Sequence, residues 1–159
     1  MCNVRRIFTV LSVIFVLALL SYGVVGAVSS AKNVTVADVR GKAEVMSQDS
    51  GSWAPAVFGM KVGAGDTIKT QKDSYVDLSF DVSGQDALVR VDANSNMKIA
   101  DYTASNKLEN KKIALELAMG DILVKANKLK NESQFQVRTP TSLVGVRGTG
   151  FKVSVSTEK

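Results

Sequence analysis

Phe135-Gln-Val-Arg-Thr-Pro-Thr-Ser-Leu-Val-Gly-Val-Arg-Gly-Thr-Gly-Phe151 opens on one alternating run and closes on the start of another. Phe135 and Val137 belong to the first run; Phe151, Val153 and Val155 belong to the second. Alternation of this kind makes strands with one buried face. Between them, Pro140 removes a backbone donor and, with Thr139 before it, marks a turn or a sheet edge. Gly145, Gly148 and Gly150 surround a single cation, Arg147, where the backbone must bend or come close to a neighbour. The pattern is strand-and-turn architecture and does not read as an active site.

Working back toward the N-terminus, the chain is a succession of short β-like runs broken by turn residues every ~8–12 residues, the rhythm of a sandwich or barrel. Residues 36–45 make a first strand with Gly41 as a bulge inside it, and 49–52 make a turn. Trp53 starts a segment ending at Gly59, and a second turn spans Gly63, Gly65 and Asp66 before Ile68 and Thr70. In Tyr75-Val-Asp-Leu-Ser-Phe80, Val76, Leu78 and Phe80 share one face, and residues 83–86 reverse the chain into a hairpin with 88–91. Residues 111–119 contain good helix formers, but Ile113, Leu115 and Leu117 alternate, which favours a strand. Gly120-Asp121 then turns into Ile122 and Val124. The expected fold is all-β: a mostly antiparallel, jelly-roll-like sandwich of two sheets.

The N-terminus predicts export. Arg5 and Arg6 precede an apolar stretch over residues 7–20, and small residues follow up to Ala27. That is the order of a secretory signal helix, with cleavage between Ala27 and Val28. The rival reading keeps residues 7–28 as a membrane anchor, long enough at ~20 residues to span a bilayer. In both, the arginines hold the N-terminus inside and send the rest outward. The expected division is a signal over 1–27, a flexible lead-in over 28–35 and one β domain over 36–157.

Composition narrows the chemistry. Removal of residues 1–27 takes two of the 20 Lys+Arg and leaves 18 against 15 Asp+Glu, too even a balance to argue for nucleic acid. The chain has no histidine, and its one cysteine, Cys2, leaves with the signal. Cysteine and histidine catalysis, thiolate metal sites and disulfides are therefore not expected, nor is any cofactor. An enzyme would need a carboxylate pair or a serine-lysine dyad, and no spacing suggests either.

Four other features carry two readings each. Asp66 and Asp121, each after a glycine, are turn residues that bond neighbouring amides, ahead of any metal role. Asp92, Asn94 and Asn96 alternate like the start of a calcium loop, but the glycine and the closing glutamate are missing. Trp53 either staples a loop over the core edge or stacks on a sugar ring. Arg147 either forms an ion pair with Asp66 or Asp121 that locks the closing strand, or clamps an anion with its planar fork. Asn33 and Asn131 sit in glycosylation-acceptor triplets that matter only in a eukaryotic source.

Taken together, Gly41, Trp53, Gly59, Gly65-Asp66-x-Ile68-x-Thr70, the strand to Phe80, Gly120-Asp121 and Phe135-x-Val-x-Thr-Pro…Val-Arg-Gly-Thr-x-Phe151 resemble the FecR domain family. The resemblance implies a bacterial, extracytoplasmic all-β domain that binds rather than catalyses. Only six residues precede the apolar stretch, where iron-dicitrate sensors of this family carry a cytoplasmic anti-sigma segment. The expectation is therefore a stand-alone exported domain, periplasmic or secreted. Its expected partner is an envelope protein or an envelope glycan, met near Trp53 and around Pro140, Arg147, Gly148 and Thr149. The alternative is an anchored signalling or assembly component facing the periplasm.

Overall fold

The computed structural model describes residues 34–82, 85–103, 112–126, 134–146 and 149–156. They form β1 (Val34–Arg40), β2 (Ala43–Met46), β3 (Trp53–Pro55), β4 (Lys61–Val62), β5 (Thr67–Thr70), β6 (Tyr75–Val82), β7 (Gln85–Val91), β8 (Asn96–Thr103), β9 (Lys112–Ala126), β10 (Gln134–Arg138), β11 (Leu143–Val146) and β12 (Thr149–Val155). The all-β expectation holds. Every pairing is antiparallel except that of β10 with β9. Among the described residues no helix is long and apolar enough to cross a membrane.

Consecutive strands form long ribbons that bend at one level. β1 continues into β2 across Gly41-Lys42, β5 into β6 across 71–74, and β7 into β8 across 92–95. On one side of the bend β1, β6, β7 and β9 lie in that order; on the other side β2, β5, β8 and β9 repeat it. Only β9 crosses the bend without interruption: residues 112–119 pair with β8, and 122–126 pair with β7. All strands thus belong to one sheet, curled so that its two halves close on a single hydrophobic cluster. Phe80 of β6 meets Tyr102 of β8 edge to face across that core, with ring centroids 5.6 Å apart. Each fully buried aliphatic or aromatic side chain in the cluster contributes about 1.5–3 kcal/mol.

The bend changes which residues face inward. On β9 the buried positions are Ile113, Leu115 and Leu117 before it, then Ile122 and Val124 after it. From β1 to β2 they pass from Val34 and Val36 to Ala43 and Val45. Because side chains alternate strictly along a strand, such a change of phase needs a bulge or a kink. Register shifts supply it: Ala37 is the extra residue between Val36 and Asp38 on β1, and Ala118 the extra residue between Leu117 and Met119 on β9, while Gly41 (φ 76°) and Gly120 (φ 93°) turn the backbone just beyond them.

Ladder bonding is interrupted at the bend, and buried hydroxyls supply the missing partners. Gln71 N donates to Lys42 O at 3.0 Å, and Lys42 N to Ser74 Oγ at 2.9 Å. Ser95 N donates to Thr70 Oγ1 at 3.0 Å, while Thr70 Oγ1 donates to Asp92 O. Ser95 Oγ accepts from Asp121 N at 3.0 Å, and Asp92 N donates to Asp121 O at 3.0 Å. The result is a polar seam across all four ribbons. Thr70→Val, similar in volume, removes the hydroxyl from two of these bonds. It should lower unfolding free energy by about 1–3 kcal/mol, the cost of unsatisfied buried polar groups, with the urea m-value unchanged.

Several expectations need correction. The first strand is two strands, since β1 and β2 pair with different neighbours on either side of Gly41. Val34 and Thr35 belong to β1 and not to a lead-in. Gly120-Asp121 does not end a strand; it kinks one strand of 15 residues. The segment from Trp53 to Gly59 is strand only over Trp53–Pro55. The hairpin of β6 with β7 is as expected, with Val82 opposite Gln85. Residues 1–33, with the signal and the Ala27/Val28 cleavage site, lie outside the described residues.

Candidate functional site

The segment that opens the sequence analysis builds a groove. β10 runs parallel to β9, with Arg138 opposite Glu116. A tight turn follows, in which Thr139 N donates to Ser142 O at 2.8 Å and Ser142 N to Thr139 Oγ1 at 2.9 Å. Pro140 and Thr141 form its tip, the position that proline tolerates because no ladder donor is needed there. β11 then returns along β10. β12 lies instead along the other half of β9, with Val155 opposite Gly120. The ends of β10 and β12 approach each other along the same edge of β9, which leaves Leu117, Ala118 and Met119 between them.

Around that gap lies a cavity of about 770 Å³, lined by Ala118, Thr139, Pro140, Thr141, Ser142, Val144 and residues 151–156. Phe135 and Phe151, the two ends of the quoted segment, meet edge to face beside it with centroids 6.0 Å apart. The lining combines apolar groups with neutral hydroxyls. Among the described residues its one charged side chain is Lys152, bound to Asp121 Oδ2 at 3.1 Å. Such a surface suits recognition through shape, hydroxyls and backbone rather than proton transfer.

Asp121 supports β12 from beneath the groove. Hydrogen bonding from Ser154, and then the Lys152 ammonium, hold its carboxyl below the usual range. A carboxyl depressed in the folded state stabilises above its unfolded value, near ~3.9, and loses that contribution as pH falls through the folded value. Asp121→Asn should therefore be less stable than wild type at pH 7 by at most about 1 kcal/mol, as for other partly exposed pairs. Denaturant titrations at a series of pH values should find the difference shrinking as pH falls below ~3.9 and the Asp121 carboxyl takes up its proton.

Asp66 is the other Gly-Asp residue, and it is 2 % exposed. Its Oδ1 accepts from Gln48 N at 3.0 Å and its Oδ2 from Gly63 N at 3.0 Å. Its carbonyl accepts from Ile99 N at 3.0 Å. The carboxylate thus ties the loops after β2 and β4 to each other, and the main-chain carbonyl of the same residue ties them to β8.

The structure does not gather the expected residues at one place. Trp53 lies on β3, the terminal strand of the sheet order, 44 % exposed, and close in sequence to the exposed Val57 and Phe58. The groove lies at the other edge of β9, where β10 and β12 branch off that order. Arg147 and Gly148 lie outside the described residues, and Thr149 begins β12. The expected ion pair of Arg147 with Asp66 or Asp121 lies outside the described residues with Arg147 itself.

Another arginine, Arg90 of β7, which the sequence analysis does not single out, has a fixed partner. Arg90 binds Asp77 through Nε and Nη2, both at 2.7 Å, and its guanidinium lies 4.4 Å from the centroid of the Tyr75 ring. Tyr75 Oη donates to Asp38 at 2.8 Å, which carries the network from β7 across β6 to β1. The available signal was the hairpin register, which sets Asp77 opposite Arg90.

A family model described as FecR protein matches residues 66–159, more than half of the chain. No curated protein and no solved structure matches.

Proposed function

Because the chain belongs to the FecR family, we propose that it is a non-catalytic extracytoplasmic module that recognises another protein of the bacterial envelope. The family is regulatory and sensory. Residues 1–27 act in this reading as an export signal, and the two halves of the curled sheet serve as the layers of a sandwich. One observation carries the proposal: the closing segment, which lies within the matched residues 66–159, builds the hydroxyl-lined groove between the 139–142 turn, β11 and β12. A site made of turn backbone, valines and a phenylalanine favours a protein segment over an envelope glycan, for which exposed aromatic platforms and planar polar groups would be expected.

Val144→Asp tests this, since Val144 is half-buried in the groove and outside the seam. In affinity capture from envelope extract with the full chain, wild type should retain a specific protein and the variant at least tenfold less, with a circular dichroism spectrum like that of wild type. Equal capture by both would remove the groove from the function. Retention of glycan fragments alone would redirect the proposal to carbohydrate. The mass of the native N-terminus separates export from anchoring, because a chain starting at Val28 excludes the anchor.

A further inference from the structure

Beyond β9 the two halves of the sheet are unequal. One continues through β10 and β11, whereas the other ends with β12, which among the described residues pairs with β9 alone. Six successive residues of β12 and its end, 151–156, line the groove. Phe151, Val153 and Val155 turn toward the core, while Lys152, Ser154 and Ser156 are exposed. A groove lined by residues from both faces of a strand meets that strand at its edge, where alternate backbone N–H and C=O groups point outward.

We propose that β12 is a docking edge which takes an extended, uncharged segment of the partner protein as an added strand. The inference rests on the groove reading given above and assigns its mode of binding. Main-chain bonding would supply the general affinity. Selectivity comes from charge and shape: Lys152 is neutralised by Asp121, so the described lining presents no free charge to attract a charged segment. Val144, Phe151 and Ala118 offer an apolar seat to every second side chain of the guest. β12 is seven residues long, room for a guest strand of about 23 Å.

A phage-displayed library of random dodecapeptides, panned on the full chain, tests the mode. Enriched peptides should alternate apolar with uncharged polar residues. One of them, added as a synthetic peptide, should slow hydrogen exchange at least tenfold at alternate amides of β12 and leave β3 and β4 unchanged. Ser156→Lys, on the exposed rim, should weaken that peptide at least tenfold at an unaltered thermal midpoint. Protection elsewhere, protection without alternation, or undiminished binding to Ser156→Lys would overturn strand addition. Concentration-dependent protection of the same amides without peptide would overturn it too, by assigning the edge to a second copy. If Val144→Asp loses envelope capture while β12 shows no alternating protection, strand addition fails and the groove reading stands. If Val144→Asp captures normally, the groove reading itself has failed.

Discussion

Gly120→Val is expected to be the most damaging single substitution in the domain. Gly120 has φ 93°, and a Cβ there would fall on Ser95 Oγ and lie 2.5 Å from Ser95 Cα. A β-branched residue in that backbone region costs about 1–3 kcal/mol in conformation alone. The collision adds to it, because Ser95 cannot retreat: its hydroxyl and amide hold β5, the 92–95 corner and β9 together. Together the losses should reach about 3–5 kcal/mol, the range reserved for strained or disrupted buried sites. Against a typical total of about 5–15 kcal/mol, that is a large share, and the thermal midpoint should fall by roughly 10 °C or more. Gly145→Val is the matched control, since its Cβ would meet nothing within 4 Å. A Gly120→Val midpoint within two or three degrees of wild type would refute the role of the seam.

Asp66→Ala should come next, at about 2–4 kcal/mol. The substitution strips acceptors from Gln48 N and Gly63 N in a site that is 2 % exposed, and each abandoned buried donor costs about 1–3 kcal/mol. Asp66→Asn should be nearly as harmful, because one amide oxygen can serve only one of the two donors and the NH₂ group would face the other. Guanidinium unfolding of the three proteins measures both. Loss of less than half a kcal/mol in Asp66→Ala would show that the two loops do not depend on it.

Much of this architecture is legible in local pattern. Val76, Leu78 and Phe80 announce a half-buried strand, and the polar residues after Val82 announce its hairpin. The turn role of Asp66 follows from glycine-aspartate chemistry, although its distant donor, Gln48, does not. Gly120-Asp121 shows where local reading stops. The same dipeptide turns the chain at 65–66 and merely kinks it at 120–121, and the difference lies in Ser95, 25 residues away, whose hydroxyl holds β9 through the bend. The split between β1 and β2 is invisible for the same reason: Gly41 looks like a bulge until β5 and β6 claim different partners beside it. The groove is not legible in the sequence, because its walls come from strands that diverge after leaving the same edge of β9.

β9 also governs how the molecule can come apart. It bonds to β8 and β10 on one side of its kink and to β7 and β12 on the other. The two halves share this one continuous strand and one hydrophobic cluster, so neither can detach without exposing core that the other covers. Unfolding should therefore be a single cooperative step, with fluorescence from Trp53 in one half coinciding with far-ultraviolet dichroism of the whole. The same dependence orders assembly. A chain made from its N-terminus has β1 to β8 in hand before the strand that unites them exists, so its earliest lasting structure is local, the β6–β7 hairpin, and closure waits for β9.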